Sequence, residues 1–74
     1  MSLRKQVANE INALEREIQY LEIKRSRSIA ALLEAFISET RPSADDVAFF
    51  RAFTQEIEAK RKELIQLTHD YENL

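Results

Sequence analysis

No glycine occurs anywhere in the sequence. Glycine is the residue that tight hairpin turns and left-handed backbone normally require, so folds built on β-hairpins are disfavoured from the start. Proline occurs once, at Pro42, and cysteine not at all. Charged residues make up 32% of the chain and apolar ones 45%, a balance typical of long helices and coiled coils. Seventy-four residues allow one domain at most.

Pro42 stands in the segment Thr40-Arg41-Pro42-Ser43, the one break in the pattern. Proline pushes the residue before it out of the helical region, so a first helix should end near Glu39 to Arg41. Ser43 then reads as the N-cap of a second helix, with Asp46 three residues on and Asp45 favourable at the positive end of the dipole. These signals predict helices over about 3–40 and 44–72, joined by a turn over about 41–43. A connection that short makes the helices antiparallel neighbours. The expected fold is an all-α, coiled-coil-like two-helix hairpin.

Apolar spacing agrees. Val7, Ile11, Leu14, Ile18 and Leu21 recur by alternating fours and threes, a heptad seam. The second seam runs Phe50, Phe53, Ile57, Lys60, Leu64, Leu67, Tyr71 and Leu74. After Leu21 the strict repeat calls for Arg25 and Ser28, while apolar residues resume at Ile29, Leu33 and Phe36. That reads as a stutter, which locally unwinds a supercoil. Matching apolar to apolar places Leu21 opposite Leu64, Ile18 opposite Leu67, Leu14 opposite Tyr71 and Ile11 opposite Leu74. The same register puts Arg25 opposite Lys60 and leaves Leu3 and Val7 overhanging the end of the second helix.

Two helices have too few faces to enclose the apolar residues near the turn. Ile29, Leu33, Phe36 and Ile37 on the first helix, with Val47, Phe49, Phe50 and Phe53 on the second, form an expected protein interface. Ile23, Ala30 and Ile37 lie seven apart on the outer face. Dimerisation into a four-helix bundle, or assembly with another helical protein, would cover these residues. The competing arrangement is a thick intramolecular core at the tip.

Six cations are expected to sit at one level: Lys24, Arg25 and Arg27 with Lys60, Arg61 and Lys62. They suggest an anion-binding belt, against the plainer reading of a solvated, salt-bridged midsection. The plainer reading is preferred: no aromatic residues interleave to stack bases, and the formal net charge of −2 does not favour nucleic acid. Ser26 and Ser28 alternate with Arg25 and Arg27, a spacing kinases read but one common by chance.

Catalytic signatures are missing. His69 is the one histidine, Gln66 stands where a Glu-x-x-His metal motif needs Glu, and no Gly-rich phosphate loop or nucleophile motif occurs. No catalysis, metal or cofactor is expected. The longest apolar run, Ile29 to Leu33, is far too short to span a bilayer. Arg4 and Lys5 have no apolar stretch behind them to make a secretory signal, and Met1-Ser2-Leu3 is generic enough to be a cloning remnant. The cytoplasm is the default compartment.

In size and layout the chain resembles the plasmid copy-number hairpin that dimerises into a four-helix bundle and binds RNA. The stretch from Phe49-Phe50 to Leu64-Ile65-Gln66-Leu67-Thr68 is similar in character to small helical co-chaperones of type III secretion needle subunits. The resemblances imply a hairpin that associates with itself, or an adaptor that holds a partner helix. They carry over no functional residue.

Overall fold

A computed structural model describes residues 2–74; Met1, part of the suspected remnant, lies outside them. The fold is an antiparallel hairpin of two α-helices, α1 (Leu3–Ile37) and α2 (Ala44–Glu72), and measures 55 × 16 × 15 Å. Both N-caps are serines. Ser2 Oγ accepts from Lys5 N–H at 3.2 Å, and Ser43 Oγ accepts from Asp46 N–H at 3.0 Å. Each satisfies a donor that the first helical turn would otherwise leave free.

The stop of α1 departs from expectation. The helix ends at Ile37, and the turn spans residues 38–43. Pro42 is not what ends it. Glu39 adopts φ 57°, the left-handed region. Its N–H donates to the Phe36 carbonyl at 3.2 Å, and Thr40 N–H donates to the Ala35 carbonyl at 2.9 Å. This is a Schellman closure, the arrangement that usually places glycine at the left-handed position. Thr40 strengthens it with its hydroxyl, 3.2 Å from the same Ala35 oxygen.

The core is a single seam. Leu14, Ile18 and Leu21 of α1 are buried with Ile57 of α2, and Phe53, Leu64 and Leu67 pack against them. Ile57 is completely enclosed. Farther along α1 the residues turned inward are Arg25, Ser28, Leu32 and Ala35, all at least half-buried. Fours and threes therefore continue without interruption from Val7 to Ala35. The expected stutter does not occur: Arg25 and Ser28 occupy the seam, and Ile29, Leu33 and Phe36 turn outward. A steady heptad keeps one stripe against α2 along the whole hairpin. Phe53 lines one groove with Leu21 and Lys24. Counting on by one seam position, Phe50 falls level with Ser28. A small side chain facing a large one is a close-packing solution that apolar matching alone overlooks.

The register also differs from expectation, by about one heptad. Lys60 Nζ lies 2.8 Å from Glu17, not opposite Arg25. The Arg4 guanidinium sits 4.7 Å from the ring centre of Tyr71. These anchors place Leu21 level with Ile57 and Leu14 level with Leu64. The early stop of α1 moves the centre of the turn toward the N-terminus and accounts for about three residues of the shift, roughly 5 Å; the rest arises because matching apolar residues is nearly as good one heptad away. The predicted overhang largely disappears, since Val7 is half-buried near Tyr71; Leu3 remains exposed.

The left-handed Glu39 yields a test. A non-glycine residue there costs roughly 1–2 kcal/mol, partly offset in glycine by greater unfolded-state freedom. Glu39→Gly should stabilise the hairpin by ~1 kcal/mol, raising the thermal midpoint by roughly 4–8 °C at fixed protein concentration. An unchanged or lowered midpoint would show that α1 does not close through this residue.

Candidate interaction surface

The outer side of α1 near the turn carries a second apolar stripe. Exposures are 55% for Ile23, 37% for Ile29, 57% for Leu33, 80% for Phe36 and 83% for Ile37. At 3.6 residues per turn these side chains and Ala30 fall within roughly 140° of the helix surface, on a face distinct from the seam. α1 is thus amphipathic twice over in its last four turns, once toward α2 and once toward solvent. The thick intramolecular tip is not formed.

The α2 half of the expected interface divides. Val47, Phe50 and Phe53 are half-buried, while Phe49 is exposed and stacks on Phe53 with ring centres 6.2 Å apart. Two ladders of contacts separate the sides of the hairpin. On one side Arg61 donates to Glu22 at 2.8 Å. Heptad equivalents of that pair toward the tip are Ile29 with Thr54 and Phe36 with Val47. On the other side Glu17 meets Lys60, and Lys24 lies in the groove beside Phe53. Phe49 belongs to this second side by its heptad position. The eight expected interface residues are therefore not one patch. Ile29, Leu33, Phe36 and Ile37 share the α1 stripe with Val47 at its edge, and Phe49 faces away from it. Sequence reading passed over Ile65, exposed on the outside of α2, because an isolated apolar residue outside a seam has no pattern to reveal it.

The six cations do not form one continuous level, although Lys24 and Lys60 line the same groove. With α2 shifted, Lys60, Arg61 and Lys62 lie near Glu17 and Glu22, and Lys24, Arg25 and Arg27 lie about one heptad nearer the tip. Lys60 and Arg61 both hold intrachain carboxylates at 2.8 Å. Lys24 Nζ sits 4.6 Å from the ring centre of Tyr20. The arrangement is that of salt-bridged flanks along a seam. Lys60 explains how a cation is tolerated in that seam: its stem lies between Leu14 and Leu67 on one side and Leu21 and Phe53 on the other, and its ammonium reaches out to Glu17. Ser28, which follows Arg27 in the alternation of serines and arginines, is buried and its hydroxyl turns to the Lys24 carbonyl at 3.5 Å.

Among the described residues one buried side-chain polar atom is unsatisfied. Thr54 Oγ1 is sealed from solvent and has no hydrogen-bond partner among the described residues. His69 is exposed at the far end of α2, its ring nitrogen 3.3 Å from the Asn73 amide. No group of three or more His, Asp or Glu side chains converges among the described residues, and no described helix is long and apolar enough to cross a membrane. No protein-family model, curated protein or solved structure matches the chain.

Two measurements follow from these flanks. The hydrogen bond to Glu17, aided by the charges of Glu17, Glu56 and Glu63, raises the Lys60 pKa above the ordinary 10.5. A pKa raised by folding means that the pair's stabilisation is present below 10.5 and is lost as pH climbs through the higher folded value. Glu17→Gln should therefore differ in stability from the parent at pH 7–9, with the difference shrinking above that window; a gap that persists undiminished at pH 12 would assign it to packing. Thr54→Val removes the unsatisfied hydroxyl at constant shape. It should leave helicity unchanged and raise stability by ~1 kcal/mol in denaturant melts. A loss instead would show that the hydroxyl has a partner in solution.

Proposed function

We propose that the hairpin is a non-catalytic protein-interaction module that acts by associating through its α1 outer stripe, as a homodimeric four-helix bundle or with helices of another protein. The observation that carries this reading is the exposure of Leu33, Phe36 and Ile37 side by side on one face. Contiguous apolar surface of this kind is uncommon on a monomer and marks an interaction site. The thin core supports the same reading. One seam with four buried apolar residues stabilises a chain of this size weakly, so association should add to the stability of the folded hairpin.

A nucleic-acid role through the basic residues has less support. Two of the six cations, Lys60 and Arg61, hold carboxylates within the chain.

Sedimentation equilibrium tests the proposal. The chain should self-associate at tens of micromolar, and its thermal midpoint should rise with concentration. Leu33→Glu should abolish association while keeping the helical signal, because Leu33 lies outside the seam. A parent chain that is monomeric throughout this range, with a concentration-independent melt, would rule out self-assembly. Unchanged assembly by Leu33→Glu would place the contact on another face.

A further inference from the structure

We infer that the partner of the stripe is a second copy of this chain, its α1 running antiparallel across the first and locked by a reciprocal Arg27–Glu34 ion pair. This rests on the interaction reading above and deepens it by fixing occupant, helix and direction.

The stripe has its own heptad. Ile23, Ser26, Ala30, Leu33 and Ile37 recur by threes and fours, a second seam on the outside of α1. Ser26 and Ala30 at its middle are small and exposed, so two helix backbones can approach there. Arg27 and Glu34 flank this seam on one side, seven residues apart, in equivalent heptad positions. Both are exposed, and neither has an ion-pair partner among the described residues.

A two-fold axis between antiparallel α1 helices brings unlike ends of the stripe together. The intramolecular hairpin supplies the rule for flanking residues: when Leu21 is level with Ile57, Glu22 meets Arg61 across the flank. Carried to the outer seam with Ile23 level with Leu33 of the second copy, the same rule sets Arg27 beside Glu34 of that copy. Symmetry then sets Glu34 beside the other Arg27. Both unpaired charges are used, and each is used twice. In the same layers Ser26 meets Ala30. A parallel pair would instead draw Arg27 to Glu22, which Arg61 already holds, and would leave Glu34 against Ile29.

The area is sufficient and modest. At ~150–200 Å² per fully exposed large side chain, the exposed fractions of the five large stripe residues amount to at most roughly 500–600 Å² per copy, since Ile37 falls level with Gln19 of the second copy. Two copies reach roughly 1,000–1,200 Å², the lower edge of stable interfaces, so the dimer should be weak and its charge pairs should matter.

Charge reversal separates the possibilities. Arg27→Glu and Glu34→Arg each place like charges at both flank positions of a symmetric dimer, and each variant alone should dimerise roughly tenfold more weakly than the parent. Mixed together, the two variants should form a heterodimer near parental affinity, because each copy supplies the charge the other lacks. Sedimentation equilibrium on the parent, each variant and the equimolar mixture reads all four. If Glu34→Arg alone leaves dimerisation unchanged, or the mixture is no tighter than its components, the antiparallel pairing is overturned while self-association stands. If the parent itself stays monomeric, the stripe serves a different protein and the second-copy inference fails with the self-assembly reading.

Discussion

A helix packed against a single neighbour can hide one stripe, and α1 carries two. The inner stripe is set by the heptad from Val7 to Ala35 and meets α2 along its length. The outer stripe, from Ile23 to Ile37, has nothing over it. The two compete for the same neighbour near the tip. Had α1 rotated to bury Ile29, Leu33 and Phe36, it would have drawn Ser28 and Arg25 out of the seam and gained apolar contact locally. It would also have broken the continuous alignment of Leu14, Ile18 and Leu21 with Ile57 and Leu64. A stiff helix cannot satisfy both, and the longer uninterrupted seam prevails.

The polar residues left in that seam are handled in different ways. Lys60 is long enough to cover apolar neighbours with its stem and place its charge at Glu17. Ser28 is small, so large Phe50 can lie at its level, and its hydroxyl turns back to its own helix. Thr54 is the exception, with a sealed hydroxyl and no partner. It lies on the same flank as Ile29, where the inner seam gives way to the outer stripe.

The helices, their antiparallel pairing, the α1 seam from Val7 to Leu21 and the α2 seam were legible in the sequence, because capping serines and heptad spacing act locally. The register and the tip were not. Register was read by matching apolar residue to apolar residue, which a slide of one heptad satisfies almost as well, and the stop of α1 was read from Pro42, the strongest breaker in the chain. The actual stop rests on Glu39 taking a left-handed conformation that residue type does not announce. The tip was misread for a related reason. Apolar residues at Ile29, Leu33 and Phe36 were taken as a displaced seam, whereas they form a second one. Spacing alone identifies a stripe but not the neighbour it faces. The outward position of the Ile23–Ala30–Ile37 line was anticipated from simple geometry: those residues point away from the seam that faces α2.

The turn and the outer stripe are coupled through register. Along one flank the heptad-equivalent pairs run from Glu22 with Arg61 to Ile29 with Thr54 and Phe36 with Val47. The first is an ion pair exposed to solvent, and the last two are apolar or nearly so. Sliding α2 by one heptad toward the expected register would set Arg61 near Ile29 and Thr54 near Phe36, placing a cation inside the apolar stripe. The early Schellman stop therefore does more than end a helix. By fixing the level of α2, it keeps the charged flank toward the open end and leaves the apolar flank continuous with Leu33 and Ile37 at the tip. That flank therefore carries charge on its open-end half and bare apolar surface along the last four turns of α1.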